Sequence, residues 1–60
     1  MIVDRKPEPL KAVKVHFLHK ITKKVGYTTG MWDGERWRIY SPEGFYPVPQ
    51  HLEVLGWEEK

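Results

Sequence analysis

The chain has no cysteine among its 60 residues. Without thiols it has neither a disulfide to staple a small fold nor a thiolate zinc site to nucleate one. It also lacks any apolar run near the roughly 18 residues a membrane-spanning helix requires. No segment of ten or more residues has helical period, no internal repeat is present and no stretch is low in complexity. The first residues, Met-Ile-Val-Asp-Arg-Lys, do not have the apolar stretch of a signal peptide, so the expected address is the cytoplasm of a bacterial host. Net charge is scarce too, at +2, but it is unevenly divided. Residues 1–24 carry seven lysines and arginines against two acids, and residues 25–60 carry three against six. A basic first half serves solubility in its plain reading and nucleic-acid binding in its sharper one, although dedicated binders are more basic overall.

What the chain has in place of staples is aromatic side chains. Three Trp, three Tyr and two Phe stand in a sequence that is 40% hydrophobic and 30% charged, an ordinary globular balance. Sixty residues allow one domain, spanning 1–60. A chain of this size buries only roughly 60% of its unfolded surface. Aromatics that each bury roughly 150–250 Å² are therefore expected to make up most of its core.

The stretch Tyr27-Thr28-Thr29-Gly30-Met31-Trp32-Asp33-Gly34-Glu35-Arg36-Trp37-Arg38-Ile39-Tyr40 organises the rest. An Asp-Gly pair between alternating aromatic and β-branched residues is the strongest short-range hairpin signal. A two-residue turn at Asp33-Gly34 sets Trp32 opposite Glu35, Met31 opposite Arg36 and Gly30 opposite Trp37, with that indole over bare backbone. One face then holds Thr28, Gly30, Trp32, Trp37 and Ile39. The other holds Tyr27, Thr29, Met31, Arg36, Arg38 and Tyr40. Burying two unpaired guanidinium groups is costly, so the Trp37/Ile39 face goes inward. A bulge or a different turn would shift this register.

Around the hairpin the chain reads as strand and turn. Pro7 and Pro9 make residues 1–10 an extended lead-in, with Ile2, Val3 and Leu10 as its available anchors along a sheet edge. Lys11 to Leu18 alternates Val13, Val15 and Phe17 against Lys14 and His16, a half-buried strand. His19 to Lys24 is a basic connection. Ser41-Pro42-Glu43-Gly44 is a turn, and the prolines of Phe45 to Pro49 confine that segment to an edge or an irregular crossing. His51 to Trp57 is the closing strand, and 58–60 is a solvated tail. The expected fold is all-β: a small antiparallel sheet of four to five strands in an SH3-like, partly closed barrel.

The succession Asp4-Arg5-x-Pro7, Val13-Lys14-Val15, Gly30-Met31-Trp32-Asp33-Gly34-Glu35-Arg36-Trp37 and Val54-Leu55-Gly56-Trp57 resembles a family of short bacteriophage and prophage proteins of unknown function. Met31-Trp32 stands where that family usually has two tyrosines. Leu55-Gly56 precedes the closing tryptophan, and Glu58-Glu59-Lys60 replaces a proline-rich tail. The resemblance implies a phage or prophage origin and brings no catalytic residue with it.

Chemistry finds little footing. His16, His19 and His51 are scattered without a clustered carboxylate, so no metal site is expected. Asp33 and Glu35 flank a turn tip, where solvation leaves carboxylate pKa values ordinary. Gly26, Gly30 and Gly34 lie in strand and turn rather than before a helix, which excludes a phosphate loop. The expectation is a protein that is not an enzyme and has no cofactor, membrane association or small-molecule substrate.

Surface recognition remains. Tyr27, Met31, Arg36, Arg38 and Tyr40 have the composition of a protein-binding face, directed at a host factor or a second copy. The same face read as a cross-strand aromatic pair under arginines is purely structural. The alternative partner is nucleic acid, held weakly by Lys14, Lys20, Lys23, Lys24, Arg36 and Arg38 on a basic and aromatic sheet.

Overall fold

The computed structural model describes Met1–Lys60. Five antiparallel strands form one sheet: β1 (Val13–His19), β2 (Lys24–Trp32), β3 (Trp37–Ser41), β4 (Gly44–Pro47) and β5 (Leu52–Glu58). Their order is β4-β3-β2-β1-β5. The first four are a meander, and β5 returns to pair with β1, so the sheet is a small, partly closed barrel with β4 and β5 as its two edges. No helix is long and apolar enough to cross a membrane.

The period-2 pattern of β1 sets the inside. Val13 and Val15 are completely buried, and Trp57, paired with Val15 across β1 and β5, completes the core. Ile2, Trp37 and Val54 pack against these three from partly buried positions. Phe17 lies over Gly26 directly across the strand pair, where a Cβ would stand 3.2 Å from the ring. The aromatic-over-glycine arrangement expected between Trp37 and Gly30 is thus found between Phe17 and Gly26.

Between His16↔Gly56 and Phe17↔Val54 the register of β5 slips, leaving Leu55 as an extra, bulged residue. A bulge bends its strand and raises the local twist. It also lets Val54 and Trp57, three residues apart, both face the core.

The hairpin keeps the expected faces but not the expected turn. Gly30 pairs with Ile39, Met31 with Arg38 and Trp32 with Trp37, so Asp33-Gly34-Glu35-Arg36 is a four-residue loop rather than a two-residue turn. The displacement is two residues, and side chains alternate every two, so Trp37 and Ile39 still face inward. Gly30 has lost its indole neighbour and instead meets the core: a Cβ there would lie 2.7 Å from Val15 Cγ2 and 2.7 Å from the Arg38 carbonyl oxygen.

The first ten residues run along the free edge of β5 and across the end of the barrel. Ile2 exchanges both backbone hydrogen bonds with Trp57, at 2.7 and 2.9 Å. Trp57 Nε1 donates to the Arg5 carbonyl at 2.8 Å, and the Leu10 amide donates to the Trp32 carbonyl at 2.8 Å. Of the three candidate anchors only Ile2 is partly buried, while Val3 and Leu10 stay exposed. At the other end, Glu58 belongs to β5 rather than to a free tail.

Gly30→Ala is expected to destabilise the protein by about 1–3 kcal/mol in urea unfolding, because backbone as well as side chain must move to admit the methyl group. Trp57→Phe, which puts a smaller ring in the core and removes the donor to Arg5, is expected to cost about 1–3 kcal/mol in the same measurement.

Candidate functional site

Two surfaces of the sheet carry candidate groups. The outer face is built by the residues that alternate with the core. On β1 these are Lys14, His16 and Leu18, and on β2 they are Val25, Tyr27, Thr29 and Met31. Arg38 and Tyr40 continue the face on β3, with Phe45 opposite Tyr40 on β4. Tyr40 and Phe45 meet edge to face at 5.6 Å, a cross-strand aromatic pair. His16 and Tyr27 pair across β1 and β2 with ring centres 5.9 Å apart, and the Lys14 ammonium stands 4.1 Å over the Tyr27 ring.

At the β5 side this face is polar and tightly paired. His16 Nε2 stands 2.8 Å from Glu58 Oε2, and Lys14 Nζ stands 3.7 Å from the same oxygen. An ionised carboxylate only accepts, so the His16 nitrogen facing it carries the proton. The His16 hydrogen bond, with Lys14 adding to it, holds the Glu58 carboxyl below its ordinary range against the opposing effect of desolvation. Toward β2 the same face turns apolar. Val25 is 71% exposed, Tyr27 66% and Tyr40 54%. Met1 and Leu55 join Val25 and Tyr27 around a shallow hollow beside His16.

Of the expected protein-binding residues, Tyr27, Met31, Arg38 and Tyr40 share this outer face. Arg36 does not: it sits in the hairpin loop, and its guanidinium approaches only Glu35, at 3.9 Å. Arg38 is on the face but is not free, because its Nε donates to Asp33 Oδ2 at 2.7 Å. The six cations of the nucleic-acid alternative divide in the same way. Lys14 is outer, Lys20 and Lys23 lie in the β1–β2 turn with Lys24 just after it, and Arg36 is at the hairpin tip.

Asp33 is the residue whose part the sequence concealed. Its Oδ1 accepts the amides of Glu35 and Arg36, both at 2.8 Å, while Oδ2 takes the Arg38 guanidinium. The Arg36 amide, then Arg38, then the Glu35 amide drive its carboxyl far below the ordinary value of 3.8. A side chain expected to be solvated is therefore the brace of the loop, with 17% of its surface exposed. The Asp-Gly dipeptide pointed to the turn; the arginine five residues on was the available sign of the brace.

The second surface is the concave side, which the sequence assigned to the core. Trp32 and Trp37 do face inward, edge to face at 5.5 Å, yet both are only partly buried. Together with Val48, Leu52 and Val54 they line an open cleft of about 820 Å³ at the β4–β5 seam. Lys20, Glu35, Arg36 and Gln50 also border it. Sequence reasoning missed this site because five short strands leave their inner face without a lid, which no local pattern records. His19 and His51, distant in sequence, are brought to 5.0 Å between ring centres near the same end of β5.

Asp33→Asn is expected to lower the melting temperature at neutral pH, since an amide keeps the loop bonds but gives up the charged partner of Arg38. A carboxyl whose pKa is depressed by folding stabilises fully above its unfolded value and loses that contribution as pH falls below it. Wild type should accordingly lose stability below the ordinary aspartate value of 3.8. The variant should lose less over the same interval, in melts recorded across the acid range. Comparison of the chain with protein-family models, with curated proteins and with solved structures gives no match.

Proposed function

We propose that the protein is a non-catalytic binding module whose outer face docks another protein, a host factor or a second copy. The observation that supports this most is the exposure of Val25 and Tyr27, which with Met1 and Leu55 border one hollow on the outer side of the sheet; Tyr40 is exposed on the same side, against Phe45. Contiguous apolar surface on a small protein is costly in water and marks an interaction site. Tyrosine is also enriched at interface hot spots, because it adds large area at little entropic cost. The polar set Lys14, His16 and Glu58 beside it gives such a patch the charged rim of an interface. The resemblance to short phage and prophage proteins favours a bacterial host factor as the partner. Nucleic acid is the weaker reading, since the cations do not line one path and Arg38 is held by Asp33.

The test uses Val25→Asp and Tyr27→Ser, which leave the loop brace untouched, where Arg38→Glu would set a like charge beside Asp33. Host lysate is passed over immobilised wild type and the double variant, and the mass of the free protein is followed with concentration. Loss of a specific captured protein, or of a concentration-dependent dimer, in the variant alone is the expected result. Identical recovery and identical mass for both would remove this face from consideration.

A further inference from the structure

The geometry points to the concave cleft as a second binding site, one that takes an extended peptide carrying apolar side chains and carboxylates. It stands on residues separate from the outer face and does not depend on that face being used.

Three observations carry it. The first is the pair of indoles. In a chain with so small a core, two tryptophans left partly open at the β4–β5 seam are an unusual expense of apolar surface. Trp57 spends its Nε1 donor on the Arg5 carbonyl, whereas the indole nitrogens of Trp32 and Trp37 make no hydrogen bond within the chain. Two free N–H donors beside apolar ring surface suit the carbonyls and side chains of an extended backbone, which exposes both.

The second is charge. Lys20 and Arg36 border the cleft from two different turns. Lys20 has no acidic partner, and Arg36 is engaged only by Glu35 at 3.9 Å with more than half of its side chain exposed. Lys6 lies outside the lining of the cleft, although its Nζ stands 5.1 Å from the Trp32 ring centre. One carboxylate, that of Glu35, opposes Lys20 and Arg36. The field over the cleft is therefore positive and complements an acidic ligand.

The third decides between peptide and single-stranded nucleic acid. Base binding needs aromatic platforms in series along a track of cations. Here the indoles are edge to face rather than in series, and the remaining wall is Pro47, Val48, Pro49, Leu52 and Val54 with one polar side chain, Gln50. Glu35 at the rim repels phosphate. An aliphatic wall with cations above it fits leucine-, valine- or proline-like side chains flanked by aspartate or glutamate.

The experiment selects binders from a library of random dodecapeptides displayed on phage, using the full chain as bait, and then titrates the synthetic winners while following tryptophan fluorescence. The expected outcome is a consensus of apolar residues with at least one acid, and an emission change on binding. Trp37→Ala should reduce affinity at least tenfold. Because that substitution also loosens the core, Lys20→Glu with Arg36→Glu on exposed turns serves as the second variant. It should reduce affinity at least tenfold with the melting temperature unchanged, and basic peptides should replace acidic ones on reselection. Absence of any consensus, a basic consensus on wild type, or winners that bind the charge-reversed variant equally well would each overturn the proposal. So would displacement of the winners by a twelve-residue oligothymidine, which would assign the cleft to nucleic acid instead.

Discussion

Everything in this fold depends on how Trp57 is held. On one side it pairs with Val15 across β1 and β5, and on the other it exchanges both backbone hydrogen bonds with Ile2. Its indole nitrogen then reaches the Arg5 carbonyl. One residue near the end of the chain therefore ties the first segment, the central strand and the last strand into a unit. With only Val13 and Val15 as fully buried companions, the core has no reserve from which to replace that tie. Chains of this length usually call on disulfides or metals. This one uses a buried tryptophan with its polar end satisfied.

The same thinness explains why the molecule has surfaces to offer. A larger domain would cover the concave side of its sheet with a helix or a second sheet. These sixty residues place no helix or second sheet there, and Trp32 and Trp37 are only partly buried. The outer face meets the same limit with Val25, Tyr27 and Tyr40 exposed. Packing and exposed surface thus draw on one small set of aromatics.

Much of the architecture was legible because strand periodicity is local. Val13, Val15 and Phe17 gave the inner face of β1, and Ser41-Pro42-Glu43-Gly44 turned where its composition said it would. The hairpin shows where legibility ended. Its faces were readable from alternation alone, but its register was set by Asp33 reaching the Glu35 and Arg36 amides and the Arg38 guanidinium. A side chain that bonds its own loop competes with the two-residue turn, and dipeptide preference does not describe that competition. The cleft was hidden for a different reason: it is made by the meeting of two turns and the β4–β5 connection, which share no sequence pattern. Arg36 left the outer face because the longer loop takes it out of the strand, and it borders the cleft instead.

The bulge at Leu55 has a bearing on the whole outline of the molecule. By carrying one residue more than the run of β1 it faces, β5 accommodates about 3.3 Å of surplus path in a single place. That surplus can only be taken up as bending. Removing Leu55 would leave the pairing of β1 and β5 continuous, with Gly56 next to Val54, and β5 would run straighter. The bend of β5 thus depends on a residue count. A length change of one at this point is the smallest edit by which such a strand bends or straightens while keeping every inward side chain inward.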